Sequence, residues 1–255
     1  MTIDGRIKAS RNDLIAMQNE IALALKSDKS RGRGPLMRQQ HAIRQMLDPS
    51  YHYHSQAGQD AVLDLVFQKK SAGTFVDIGG YDGVTGSNTI FFEKWRGWTG
   101  ALIEPVEAQI TKAKAIRSCP CLGYAVSDSD GEAAFIAVAA GFTQMSGLSD
   151  SYDPAMLGRV RADPRHAEDV INVPTRTILA ILMEIGIPDP DFISLDIEGG
   201  ELTALQGFPF DQHRVGAWAI ENNTGESDIA QLMRGHGYDL IEFCGPDEIY
   251  VLRKS

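Results

Sequence analysis

From Phe75 to the end of the chain one pattern recurs: short runs of β-branched and aromatic residues, most followed by a stretch long enough to hold a helix. Phe75–Ile78, Ala101–Ile103, Leu122–Val126, Phe192–Asp196 and Ala217–Glu221 are five such runs. Parallel strands need a crossover connection, so this alternation predicts βαβ units and a mostly parallel sheet covered on both faces. Asp239–Phe243 and Ile249–Leu252 lie only a hairpin apart, which adds an antiparallel pair at one edge. The expectation is an α/β fold with a seven-stranded mixed sheet. With 255 residues and 43% hydrophobic content, the length suits one large domain with an appendage better than two ordinary domains.

Charge marks where the appendage ends. Residues 1–44 carry nine Lys/Arg against four Asp/Glu, while the whole chain has a formal charge of −10. Within this basic segment Ser10-Arg-Asn-Asp13 reads as a helix cap, and Leu14, Met17, Ile21 and Leu25 recur at helical spacing. A break follows at Ser27–Pro35. Residues 1–50 are therefore expected to form a helical extension and 51–255 the main domain. An amphipathic helix of this kind packs on its own domain or pairs two copies of the chain into a homo-oligomer; its polar face is mixed in sign, which disfavours a membrane surface. The acidic remainder disfavours nucleic acid, since neutralising phosphates needs clustered Lys and Arg. No apolar run approaches the roughly 20 residues that span a bilayer, and the polar start lacks the core of a secretory signal, so a cytoplasmic protein is expected. Cys119, Cys121 and Cys244 are odd in number and lack zinc-site spacing, which predicts reduced thiols. Ala139–Ile171, rich in Gly, Ser, Asp and Pro, reads as a long loop or substrate lid.

The stretch FVDIGGYDGVTGSNT, Phe75 to Thr89, places an acid and glycines just beyond the first strand. Ligands in open α/β sheets bind beyond the carboxyl ends of the strands where strand order reverses, and strand one usually borders that point. Gly79 and Gly80 would let backbone approach a ligand closely, while Asp77 and Asp82 disfavour a pyrophosphate and suit a cationic ligand. S-Adenosylmethionine joins a cationic centre to an adenosine. Glu104, followed by Pro105, ends the next strand 27 residues after Asp77, close to where an acid grips ribose hydroxyls in nucleotide-binding folds.

FVDIGGYDGVTGSNT, with WTGALIEP, AVSDSDGEAAF, VPTRTI, FISLDIEGGELTALQGF and WAIENN in that order, resembles the FkbM family of S-adenosylmethionine-dependent methyltransferases over roughly Gln56 to Leu252. The resemblance implies a class I methyltransferase fold and transfer of a methyl group, usually to a hydroxyl of a sugar or other small natural product. It implies cofactor contacts at Asp77, Gly79 and Glu104, at Ser87 and Asn88 in the S-N-T turn, and at Ser127 and Asp128 near the adenine.

Methylating a hydroxyl requires a general base or a divalent cation that acidifies it. Asp196 ends the fourth strand and Glu221-Asn222 the fifth, and neighbouring parallel strands bring their ends together. These three oxygen ligands suit a hard cation such as Mg²⁺; alternatively the acids bond neighbouring loops or the cofactor amine. Glu198 and Glu201, three apart at a helix start, are candidate bases or helix caps. His54, in Tyr51-His-Tyr-His54, is a candidate substrate contact, with a surface histidine as the alternative. A nicotinamide-dependent oxidoreductase is the rival enzyme class, though the G-x-G-x-x-G spacing is missing. A non-catalytic cofactor-binding module is the third reading.

Overall fold

A computed structural model of the chain describes residues 2–254. The N-terminal segment forms two helices, α1 (Ile3–Ser27) and α2 (Arg33–Leu47). The elements that follow are α3 (Gln59–Val66), β1 (Thr74–Ile78), α4 (Ile90–Arg96), β2 (Thr99–Ile103), α5 (Glu107–Ile116), β3 (Cys121–Leu122) and β4 (Ala125–Val126). Then come β5 (Gly131–Ala140), β6 (Gly147–Leu148), α6 (Pro154–Arg161), β7 (Ala167–Arg176), α7 (Ile178–Glu184) and β8 (Phe192–Leu195). The chain closes with α8 (Glu201–Gln206), β9 (Ala217–Glu221), α9 (Asp228–Gly235), β10 (Tyr238–Cys244) and β11 (Asp247–Leu252).

The main sheet has seven strands in the order β10-β11-β9-β8-β1-β2-β3. β11 runs antiparallel to both its neighbours, and the other pairings are parallel. The chain leaves β1 toward β2 and β3, then returns to β8 on its other side, so strand order reverses between β1 and β8. That is where a ligand crevice opens in such sheets.

Period-2 alternation divides the core into two layers. Val76, Ile78, Ile193, Leu195, Trp218 and Ile220 face one side and pack with Ile178, Ile181 and Leu182 of α7. Phe75, Phe192, Ala217 and Ala219 face the other and pack with Leu63 of α3 and with Phe91, Phe92 and Trp98. Both faces are buried, which explains the near-continuous apolar strands. Truncating a fully buried ring such as Phe92 to Ala would cost about 3–5 kcal/mol.

Three expectations are corrected. The run Leu122–Val126 is two strands: β3 joins the main sheet, and after Gly123 and Tyr124 the chain crosses to β4 in a second, four-stranded sheet ordered β4-β7-β5-β6. Ala139–Ile171 is not a long loop. It contains the end of β5, β6, α6 and half of β7, and Ile136, Val138, Tyr152 and Val160 give it a core. Ser10–Asp13 lies inside α1, whose cap is Thr2, with Oγ1 accepting from the Gly5 N–H at 3.2 Å. Leu14, Ile21 and Leu25 pack against Leu36, Met37, Ile43 and Leu47, but Met17 stays exposed.

Candidate active site

The carboxyl ends of β1, β2, β8 and β9 border a cavity of about 250 Å³. Glu104, at the end of β2, is held by two backbone donors: the Tyr81 N–H to Oε2 at 3.1 Å and the Val106 N–H to Oε1 at 2.8 Å. Burial pushes its carboxyl up to about 7 in spite of them. Each carboxylate oxygen keeps a further lone pair for a ligand hydroxyl. Pro105, Val106 and Gln109 continue this wall, and Tyr124, Ala125 and Val126 supply an apolar side suited to a flat ring.

Asp77 lines the cavity but spends much of its capacity on the protein. Oδ2 accepts from Thr89 Oγ1 at 2.5 Å and Ser87 Oγ at 3.2 Å, and Arg117 Nη1 stands 3.4 Å away. The Arg117 side chain is fully buried, also pairs with Glu93, and donates to the Gly83 carbonyl. The charge at Asp77 is therefore balanced internally, a partnership with no local signal in sequence because the two residues lie on different elements. Gly79 and Gly80 line the cavity, yet protein packing dictates both. A Cβ on Gly79 (φ +79°) would sit 1.7 Å from the Asp196 carbonyl oxygen, and one on Gly80 would sit 2.4 Å from Leu102.

Other expected contacts fall elsewhere. Asp82 accepts from the Val84 and Thr85 N–H groups and Thr85 Oγ1, tying its own loop, and is not among the cavity-lining residues. Ser127 and Asp128 also lie outside the lining; Asp128 accepts from Ser127 and Ser129 hydroxyls instead. His54 stacks obliquely on Trp95, 5.1 Å between ring centroids, away from the cavity. Its neighbours do reach the site, through a bridge from Ser55 to Gly86 and the lining side chain of Gln56. Ser87 and Asn88 both line the cavity; the Asn88 carboxamide donates to Ser194 Oγ at 3.0 Å and to Asp247 at 3.4 Å. Because a carboxylate only accepts, the Asn88 nitrogen must face Asp247, and its buried oxygen is left without a partner.

Past Asp77 the character of the site changes. Asp196, Glu198 and Glu221 each offer a carboxylate oxygen within 4.8 Å of the others. Burial first and neighbouring carboxylates second raise all three: Asp196 to about 7, Glu198 to about 9, and Glu221 well above its ordinary value. Glu221 Oε2 is buried and unpartnered, and Glu198 has only Asn223 Nδ2 at 3.4 Å. Glu198 is also held at φ +59°, a conformation costly for a non-glycine residue and concentrated at functional sites. Such a donor-poor set fits a hard divalent cation, which would replace the missing donors and cancel the repulsion. Asn222 does not join it: Nδ2 donates to the Glu226 carbonyl and Glu248, and Oδ1 accepts from Thr224 and Gly225. Glu201 is likewise occupied, accepting from the Ile197 and Gly199 N–H groups as a cap on the turn before α8.

Glu198, Glu221 and Asn223 also line a second cleft of about 410 Å³. Its other walls are Asp150–Pro154 ahead of and at the start of α6 and residues from Thr224 to Asp228 leading into α9, and among the described lining residues there is no Lys, Arg or His. Glu198 and Glu221 thus stand in the partition between two cavities, with Asp196 on the side of the first.

A sheet with this strand order and a buried acid closing β2 defines a class I methyltransferase. The profile of the methyltransferase FkbM domain matches residues 77–240, and the chain belongs to that family of S-adenosylmethionine-dependent enzymes. Among solved structures, the FkbM methyltransferase from Methylobacillus flagellatus aligns over 95% of this chain at 17% identity and a TM-score of 0.47. This chain spans 60% of that structure's length. A TehB-like S-adenosylmethionine-dependent methyltransferase from Corynebacterium glutamicum aligns over 87% of this chain and all of its own, at 13% identity and a TM-score of 0.40. A precorrin-6y C5,15-methyltransferase from Geobacter metallireducens covers 77% of this chain and 87% of its own, at 10% identity and a TM-score of 0.39. No curated protein matches the sequence significantly. Among the described residues no helix is long and apolar enough to cross a membrane.

Proposed function

We propose that the chain methylates a hydroxyl of a sugar, glycan terminus or other small polyhydroxylated molecule, with a divalent cation such as Mg²⁺ held by Asp196, Glu198 and Glu221. The observation that carries this reading is the convergence of those three carboxylates where the two cavities meet, Glu198 and Glu221 lining both and Asp196 the first. S-Adenosylmethionine supplies an electrophilic methyl group on a sulfonium. Glu104 takes the ribose hydroxyls, Val106 and Val126 flank the adenine, and Asp77 with its Arg117 partner fixes the loop that ends β1. Asp196, Glu198 and Glu221 would hold the cation near the acceptor oxygen, and the chemistry it would supply there is to make the hydroxyl more acidic.

The second cleft favours a neutral polyol. Asn223, Thr224, Ser151 and the acidic side chains there can bond hydroxyls, whereas an anionic acceptor would find no Lys, Arg or His among the described lining residues. Chelation should abolish turnover, Mg²⁺ should restore it, and Asp196→Asn should resist rescue. Full turnover in chelator would remove the cation and leave Glu198, with its raised carboxyl, as general base. A product methylated on nitrogen would overturn the hydroxyl acceptor.

A further inference from the structure

The cavity that ends at Glu104 on the β2 side extends past Gly79 to Asn88 and Pro246 on the β8–β11 side. If ribose is bound at Glu104 and the ring lies toward Val126, the amino-acid half of the cofactor must run the other way, beyond β1. It ends in a zwitterion, whose recognition calls for one cationic donor and one acceptor. Five carboxylates line this cavity, Asp77, Glu104, Asp196, Glu198 and Glu221, and among its described lining side chains Arg38 is the one Lys or Arg.

Arg38 comes from α2, outside residues 77–240 that match the family profile. Its position is built. Gly34, one turn earlier on the same helix face, approaches Gly245 so closely that a Cβ there would lie 2.1 Å from the Gly245 carbonyl oxygen. The Gly245 N–H donates to the Gly34 carbonyl at 3.0 Å. Arg33 forks onto Glu242 of β10, and Arg31 reaches Glu248 and the Asn222 and Pro246 carbonyls. At the other end of the face His41 is buried against Tyr51, with Nδ1 and the phenol oxygen 3.0 Å apart. The Arg38 guanidinium lies beside Gly245, with Nη2 3.2 Å from where a Cβ would be; the residue is exposed, its charge is felt by the buried Asp247 carboxyl, and it makes no hydrogen bond or ion pair among the described residues. Asn88, only 8% exposed, presents the complementary feature, a buried carboxamide oxygen with no donor.

We propose that Arg38 binds the α-carboxylate of S-adenosylmethionine and Asn88 Oδ1 accepts from its α-ammonium, so that the N-terminal helical extension completes the cofactor site. This rests on the cofactor reading above. It gives α2 a chemical role besides packing and uses the one Lys or Arg among the described residues that line this acidic cavity.

Calorimetric titration with S-adenosylhomocysteine and 5′-methylthioadenosine tests it, because the second ligand keeps adenosine but lacks the amino-acid group. Arg38→Ala should weaken S-adenosylhomocysteine about tenfold, the scale of a charge-assisted contact partly open to solvent, and leave 5′-methylthioadenosine within about twofold. Arg38→Lys should recover part of the loss. Equal weakening of both ligands would mean that α2 has merely shifted, and no change in either would free Arg38 for some other anion; each outcome overturns the proposal. If the unmodified protein binds neither ligand, the cofactor reading falls and this assignment with it.

Discussion

Two groups of carboxylates, a few residues apart along one sheet edge, live under opposite conditions. Asp77 at the end of β1 is surrounded by donors, among them two hydroxyls and a fully buried guanidinium, and Glu104 at the end of β2 is held by two backbone amides. Asp196, Glu198 and Glu221 at the ends of β8 and β9 face chiefly one another. The first pair is rigid and satisfied, a surface on which a ligand can be positioned. The second group is short of donors, and repulsion among its members adds to burial in raising its carboxyls, whereas burial alone raises Glu104; crowding of this kind is expected where a cation binds or a proton moves. The two groups differ in electrostatic supply more than in residue type.

The largest effect that tests this division is on turnover. Asp196→Asn should lower kcat by more than about a thousandfold, the scale for losing a group that stabilises charge in the transition state, as read by transfer of labelled methyl groups. Comparable kcat would dissolve the distinction between the two groups. Next in size, Arg117→Met should destabilise the fold by about 3–5 kcal/mol, since Asp77 and Glu93 would keep buried charge without their partner. Urea denaturation measures this; a neutral result would show that the donors at Asp77 are dispensable.

A smaller effect concerns pH. Glu198 rises from 4.5 to about 9 on folding, so the folded state favours its protonated form. That contribution is fully present below about pH 4.5 and is lost as pH climbs toward 9. Metal-free protein should therefore lose stability across this interval by at most about 1.4 kcal/mol per pH unit for each proton involved. Glu198→Gln should flatten the slope, and so should saturating Mg²⁺. A slope that persists unchanged in both would remove the repulsion on which the cation site depends.

The Asp77–Glu104 side of the edge was more legible in sequence than the side formed by Asp196, Glu198 and Glu221. Asp77 and Glu104 sit at strand ends that period-2 apolar runs announce, and both line the cavity. Asp82 looked equivalent to Asp77, but it precedes a Val-Thr turn whose amides it captures, a local competition visible only once the loop is built. Asn222 stood next to Glu221 in a strand-end dipeptide, yet alternation sends consecutive side chains opposite ways, and Glu198, on a turn, takes its place. The second sheet was hidden because β5 is alanine-rich and β7 mixes charges with Pro174, so neither carries a strong strand signature, although paired together they form a ladder of nine residue pairs. Arg117 is invisible to motif reading, since its partners Asp77 and Glu93 lie on other elements, and Arg38 reaches the cavity from a helix outside the recognised motifs.

The most direct test compares one member of each group by titration calorimetry with S-adenosylhomocysteine. Glu104→Gln should weaken binding about ten- to a hundredfold, the cost of charge-assisted hydrogen bonds to ribose, while Asp196→Asn stays within about threefold of the unmodified protein. Equal losses in the two variants, or a loss confined to Asp196→Asn, would contradict the separation of binding from chemistry along this edge.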